Sequence, residues 1–388
     1  MQGIYSRLEN VRGGLMEKRR ALGPTTADEV TAEWLTGCLR AAGHDVDVLN
    51  FRGEPIGNGM MAAAQRLTLT LSGDDESAPK TLVLKYATEG AASRHTGRRG
   101  FGFPNRPGFY EQEVRFYRDF AARLDVRVPK SYAEWIAPEG DRFVLLLEDI
   151  VPASPGDEFA TPQPAELHGA MVNLAGLHAP LWNGPFPPGD NLLKPPSAVE
   201  GARYQRITQR NIDHFRNVMA VEPGSATDRV LGRFVERADR WWVAAGRPHG
   251  LVHGDYRPDN MLFPVHDGAR PVVVDWQTVS VAHTGRDLGG FLGASTPTEV
   301  RREHEHELLR TYHRRLIQLG VQGYSEEDCR SDLRLGVFHG LQNTVAIARA
   351  VDMNDRGWQL VRTWLDRLLA AFDDLDSLDA LDELEALS

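Results

Sequence analysis

One stretch constrains this chain more than any other. His253-Gly254-Asp255-Tyr256-Arg257-Pro258-Asp259-Asn260-Met261-Leu262-Phe263 is followed nine residues later by Val272-Val273-Val274-Asp275-Trp276. Leu262-Phe263 and Pro271-Val272-Val273-Val274 predict two short buried strands, with His266-Asp267-Gly268 as the turn between them. Such a hairpin returns Asp275 to the neighbourhood of Asn260, and the short turn through Arg257-Pro258-Asp259 sets Asp255 and Asn260 on one side. Asp and Asn populate turns for conformational reasons alone, so Asp255 by itself says little. The whole constellation, bracketed by apolar strands, says more. Phosphoryl transfer asks a protein for positioning and charge neutralisation. Asp255 is placed to accept the proton of a substrate hydroxyl, and Asn260 and Asp275 to hold Mg²⁺ on the phosphates of ATP.

These residues resemble the signature of the aminoglycoside phosphotransferase and choline kinase-like superfamily. Gln277 after Asp275-Trp276, and Asp287-Leu288-Gly289-Gly290-Phe291-Leu292-Gly293-Ala294-Ser295 downstream, resemble its ecdysteroid kinase-like branch and related bacterial small-molecule phosphotransferases. The resemblance runs from about Val30 to about Leu369. It implies an α+β, protein-kinase-like two-lobed fold: a small N-terminal antiparallel sheet plus helix, residues 1–148, and a larger, mainly helical C-terminal lobe, residues 149–388. It also implies ATP bound between the lobes and a structural role for Asp287 in fixing the catalytic loop.

Composition fits an ordinary enzyme. The chain has 388 residues, 41% hydrophobic and 25% charged, enough for two or three cores. No apolar run approaches 18 residues, and the N-terminal residues carry no signal-peptide pattern. Cys38 and Cys329 are too few for a disulfide framework or a four-thiolate metal site, and suit a reducing cytoplasm. Net charge is −10, but Phe372 to Ser388 holds seven acids and no Lys or Arg, leaving −3 for the rest. Acidity is therefore a tail property and says little about substrate. Leu375, Leu378, Leu381 and Leu384 recur every three residues there and predict an amphipathic helix docked on the body.

Along the chain, Thr26 to Ala42 predicts a helix with Val30, Trp34, Leu35, Cys38 and Leu39 on one face. Val46 to Phe51 predicts a strand. A glycine turn, Pro55 to Met61, leads into an alternating strand over Arg66 to Leu71. A plain hairpin would look the same. Ahead of this catalytic loop, Gly57, Asn58, Gly59 and Met60 are expected to cover nucleotide phosphates, the glycines permitting close approach. Thr81-Leu82-Val83-Leu84-Lys85 is an apolar strand ending in one Lys, the place where kinases keep their phosphate-binding Lys. Its partner would be a Glu on the next helix. The resemblance favours Glu113, with Glu111 as fallback. The Arg-rich segment from Ala91 to Gly108 reads as a loop for phosphates or an anionic substrate, or simply a solvated one.

Phe143 to Ile150 predicts a buried strand ending in acids. The resemblance makes it the hinge, with backbone near Glu148 and Ile150 bonding the adenine edge. From Pro164 onward the chain reads as helical, and His178 as a packing residue. Gly201 to Asn217 sets Arg203, Arg206, Arg210 and Arg216 against Asp213, which speaks against a polycationic acceptor and suits a neutral or anionic one. Trp241, Trp242 and Tyr204 read as core. His304 and His306 would splay apart on a helix and exclude a metal pair. Helices over Glu326 to Val351 and Trp358 to Phe372 complete the chain, which shows no nucleic-acid motif. The expectation is an ATP- and Mg²⁺-dependent kinase acting on a hydroxyl of a small molecule. The alternatives are an aminoglycoside or other antibiotic phosphotransferase, and a nucleotide-binding pseudokinase scaffold.

Overall fold

The structure, a computed structural model, describes residues 23–24, 26–57, 62–88, 103, 106–265, 270–349 and 353–384. The chain divides into two compact units. One comprises Met1–Phe120 and Pro129–Asp149; the other comprises Ala121–Val128 and Ile150–Ser388.

The first unit is a sheet with helices. Helix α1, Ala32–Ala41, begins six residues later than the apolar spacing predicts. Thr31, whose side chain accepts the Trp34 N–H at 3.2 Å, is its cap, and Ala27–Glu29 forms a separate 3₁₀ turn. Strands β1 (Asp47–Ile56), β2 (Ala62–Ser72) and β3 (Thr81–Ala87) precede a short helix α2 (Phe109–Arg115), and β4 (Ser131–Ile136) and β5 (Phe143–Glu148) follow it. The sheet is antiparallel in the order β1-β2-β3-β5-β4. Strand β5 lies inside the sheet and is buried on both faces, which is why it reads as an unbroken apolar run. Val144 and Leu146 join Leu35 and Leu39 of α1 in the core, and on the other face the Phe143 ring packs 4.7 Å from that of Tyr110 on α2. After Arg115 the helix continues as a π-helical turn, Phe116–Phe120.

In the second unit come α3 (Pro164–His178), α4 (Ala198–Val218) and α5 (Ala226–Val243), then the small strands β6 (Ala153–Pro155), β7 (His249–Val252), β8 (Met261–Pro264), β9 (Val272–Val273) and β10 (Ser280–His283). Strands β8 and β9 pair antiparallel, as the apolar runs predict, and β7 pairs with β10. Residues 266–269, the predicted turn, lie outside the described residues. Helices α6 (Gly285–Gly289), α7 (Thr298–Gln318), α8 (Glu326–Ile347), α9 (Asp355–Asp374) and α10 (Ser377–Asp382) complete it, α8 stopping before the predicted Val351. The segment Ala121–Val128, which a boundary after Glu148 leaves in the first unit, packs here. Asp125 N–H donates to Gly176 O, Val273 N–H donates to Arg127 O, and the Asp125 carboxylate meets Arg270 and Arg315. Tyr204 stacks on Trp242 at 4.3 Å in the core. Among the described residues, no helix is long and apolar enough to cross a membrane.

Candidate active site

Strand β7 ends at Val252 and delivers His253-Gly254-Asp255 into a loop whose backbone is held by remote side chains. Asp287, on α6, accepts the N–H of His253 at 2.6 Å and of Gly254 at 2.8 Å. Thr278 Oγ1 donates to His253 O at 2.7 Å. Gly254 has φ +81°, and a Cβ there would stand 2.8 Å from Thr278 O, so this position requires glycine. Burial works to raise the Asp287 carboxyl, but the hydrogen bond and charge of His178 hold it below its ordinary value. His178 in turn meets Tyr312 Oη at 2.7 Å, so it serves as a buried hydrogen-bonding residue.

His253 is also structural. Its Nε2 donates to Val274 O at 3.0 Å while Nδ1 accepts the Asp255 N–H at 3.2 Å, which fixes the neutral Nε2–H tautomer. The imidazole thereby ties the Asp255 loop to the end of β9. Asn260 completes the link: its carbonyl accepts the Val274 N–H at 3.0 Å, so Asp275 leaves the hairpin one residue from Asn260. Asn260 Nδ2 donates to both Asp255 O and Asp255 Oδ2 at 2.9 Å. Asp275 has φ +66°, a left-handed conformation that costs a non-glycine residue ~1–3 kcal/mol and recurs at functional sites. Gln277 Nε2 donates to its Oδ2 at 3.2 Å.

The sequence did not foretell Arg257. Its guanidinium lies 3.1 Å from Asp255 Oδ1 and 2.9 Å from Asp259 Oδ2, bridging the two acids of the loop. Burial works to lower its pKa, but Asp255, Asp259 and Glu158 overcome this and hold it above the ordinary value. Glu158 is wholly buried behind this bridge. It accepts from Trp364 Nε1 at 2.7 Å and Arg367 Nη1 at 3.2 Å, and burial pushes its carboxyl up to about 7 against those partners.

In the first unit, Lys85 Nζ donates to Glu113 Oε1 at 2.7 Å, and the Glu113 side chain is buried. Glu111 is more exposed and lies 3.8 Å from Arg115. Of the two candidates, Glu113 is the one joined to Lys85. Gly57 follows β1 with φ +68°; Asn58, Gly59 and Met60 lie outside the described residues, as does most of the Arg-rich segment. The Glu148 N–H is taken by Lys130 O, and its carboxylate accepts the Lys130 N–H. Asp149, beside it, receives a bidentate Arg66 fork at 2.7 and 3.1 Å, and half-buried Ile150 begins the second unit.

A family model described as the phosphotransferase enzyme family matches residues 96–326, which span the catalytic loop, Asp275 and Asp287. The chain belongs to the phosphotransferase enzyme family. It is thus an enzyme of the class the catalytic loop predicts. No curated protein matches this phosphotransferase in sequence. Among solved structures it is similar to a candidate aminoglycoside phosphotransferase of Ralstonia eutropha JMP134, with 16% identity, 92% of this chain and 99% of that one covered, and a TM-score of 0.50. It is also similar to aminoglycoside 2′-phosphotransferase-IIIa, solved as a GDP complex, with 14% identity, coverage of 89% and 99%, and a TM-score of 0.50. An ethanolamine kinase of Plasmodium vivax matches at 12% identity over 82% of each chain, with a TM-score of 0.49. The two likenesses at a TM-score of 0.50 establish the kinase-like α+β fold of the phosphotransferase.

Proposed function

We propose that this phosphotransferase moves the γ-phosphoryl group of ATP onto a hydroxyl of a small, uncharged or anionic molecule in the cytoplasm. The observation that carries the reading is the geometry of Asp255. Its carboxylate is held by Arg257 and Asn260 on a loop whose backbone polar groups are met by side chains, and Asp275 leaves the adjacent hairpin. In the proposed step the acceptor oxygen bonds the γ-phosphorus as the bridging P–O bond to ADP breaks, and the hydroxyl proton passes to Asp255.

The donor atoms suit Mg²⁺. Asn260 spends its Nδ2 on Asp255, leaving Oδ1, the only amide atom able to ligate a cation, without a partner among the described residues. Asp275 supplies a carboxylate. Among the described residues no group of three or more His, Cys, Asp or Glu side chains could hold a metal. A two-oxygen site that takes its remaining ligands from phosphates and water is the Mg²⁺ pattern. When bound, Mg²⁺ would neutralise phosphate charge. In the first unit, Lys85 braced by Glu113 is assigned to the α- and β-phosphates, Gly57 to Met60 to their cover, and backbone near Glu148 and Ile150 to the adenine edge.

The acceptor charge follows from the acids near Asp255. Asp259 pairs with Arg257 and Arg356, Glu158 is enclosed with Arg367, and Asp287 is committed to the loop N–H groups. Among the described residues, these pairings leave a polycation no spare carboxylate there. Arg216 of the basic α4 segment pairs with Asp228, while Arg203, Arg206 and Arg210 are exposed. Mg²⁺-dependent turnover of ATP against a library of sugars, steroids, terpenoid alcohols, choline and aminoglycosides, read by mass gain of phosphate, tests the reading. Asp255→Ala should lower kcat by roughly 10²–10⁴-fold while nucleotide binding persists. Full turnover in that variant sinks the role of Asp255, and transfer only to aminoglycosides sinks the charge reading.

A further inference from the structure

Beside Asp255 lies a notch of about 10 Å³, room for a single oxygen-sized group, lined also by Arg257, Ser295, His339, Asn343 and Trp364. His339 and Asn343 sit one turn apart on α8. His339 Nε2 donates to Gly254 O at 2.9 Å and Asn343 Nδ2 donates to the same carbonyl at 3.2 Å. That carbonyl can only accept, so the Asn343 amide is oriented with Nδ2 toward it. Its Oδ1, a bare acceptor on a half-buried side chain, has no partner among the described residues. Burial holds His339 below its ordinary pKa, so it adds no charge at neutral pH. Of the carboxylates that line the notch, Asp287 is spent on backbone N–H groups, which leaves Asp255.

We propose that Asn343 reads the acceptor. Its Oδ1 accepts a hydrogen bond from a second hydroxyl, next to the one whose proton goes to Asp255, so the enzyme selects uncharged vicinal diols and polyols. Asp255 and Asn343 line one notch, so a molecule that sets one hydroxyl against Asp255 brings its neighbouring group toward Asn343. A donor is required there because the amide oxygen can only accept. An ammonium is the poorer donor because the acids beside Asp255 already meet cations: Asp255 and Asp259 share Arg257, Asp259 also meets Arg356, and Glu158 meets Arg367. The proposal rests on the phosphotransferase reading above.

The test uses the full-length protein with Mg²⁺ and ATP on three matched probes: cyclohexanol, cis-1,2-cyclohexanediol and cis-2-aminocyclohexanol. Phosphate ester is read by mass, and slow hydrolysis of ATP to water is followed in the same runs. The diol should exceed the mono-alcohol and the amino alcohol in kcat/KM by about tenfold, the worth of one hydrogen bond. Asn343→Leu should bring the diol to mono-alcohol ratio to about one, through KM. Asn343→Asp should move preference toward the amino alcohol. A diol preference that survives Asn343→Leu overturns the proposal. So does a uniform fall in kcat on all probes and on water with the ratios unchanged, which would make Asn343 a support of Gly254 only. Hydrolysis to water with no ester on any probe overturns the diol class but spares the phosphotransferase reading. Bound nucleotide with neither ester nor hydrolysis overturns both.

Discussion

Around Asp255, the peptide groups of the catalytic loop bond to side chains, most of them drawn from distant parts of the chain. Asp287 takes the His253 and Gly254 N–H groups, Thr278 donates to His253 O, His339 and Asn343 to Gly254 O, and Asn260 to Asp255 O. A buried polar group left unmet costs ~1–3 kcal/mol, so each partner resists displacement of the loop. Such a loop costs little to reorganise during reaction, which is what electrostatic catalysis needs. Glu158, behind Arg257, has a consequence for stability. Its carboxyl is raised from 4.5 to about 7 in the folded protein. The folded state therefore holds a proton that the unfolded state has released between those values, so stability falls as pH rises from about 4.5 through about 7. The full effect is on the order of 3 kcal/mol. Glu158→Gln removes it, so urea unfolding at pH 5 and pH 7.5 should show the variant losing less stability than wild type over that interval. Parallel losses would refute the burial of a titrating carboxyl. The closeness of Asp255, Asn260 and Asp275 was legible because one contiguous motif carries the first two and the hairpin that follows it returns the third. It was silent on Arg257's bridge and on Glu158, whose partners Trp364 and Arg367 lie some two hundred residues away with no local pattern to mark them.

At the level of elements, glycine contacts between α6 and α8 set where Asp287 and His339 stand. A Cβ on Gly336 would fall 1.7 Å from Gly285 O, and one on Gly289 would fall 2.0 Å from the Gly336 carbonyl carbon. The two helices approach backbone to backbone. After Gly289 the chain runs as a π-helical turn, Gly290–Ser295, whose Gly290, Ala294 and Ser295 line the notch beside Asp255. Gly336→Ala must push the helices apart, at ~1–3 kcal/mol or more, and draw Asp287 and His339 from the loop, so both melting temperature and turnover should fall. Gly37 is the counter-example. It lies exposed inside α1, and a methyl group added there would meet nothing within 4 Å. Gly37→Ala should stabilise by ~0.5–1 kcal/mol through helix propensity alone. Equal melting temperatures for the two variants would contradict this contrast. Periodicity located most helices and strands because burial of one face imposes it. It misplaced the start of α1, where two threonines compete and the cap is decided by which side chain reaches an N–H, Thr31 to Trp34. It could not see the glycine contact, since a pattern of small residues does not say which helix they meet.

At the scale of the whole molecule, the acidic C-terminal segment is part of the second unit's core. Leu375, Leu381 and Leu384 are buried, α10 packs on α5 and α8, and Arg334 of α8 donates to Leu375 O at 2.7 Å and to Asp376 O at 2.8 Å. Of the four leucines whose spacing predicts a docked helix, Leu378 and Leu381 lie in α10, while Leu375 closes α9 and Leu384 follows α10. The segment's charges also meet partners, Asp374 with Arg301 and Arg302, and Asp382 with Arg233. Magnitudes decide which effect holds the segment. Asp382 and Arg233 are each 39% exposed, and such surface pairs are worth ~0–1 kcal/mol. Each buried leucine is worth ~1.5–3 kcal/mol, taken as an upper estimate. Deleting Ser377–Ser388 removes Leu381 and Leu384 and should lower the melting temperature by on the order of 5–10 °C. Because α8 carries His339 and Asn343, turnover should fall with it. Raising salt on the intact protein to screen the ion pairs should move the melting temperature far less than the deletion does. If salt alone reproduces the loss, the ion pairs hold the segment; if the deletion leaves the melting temperature unchanged, the leucines are not part of the cooperative core.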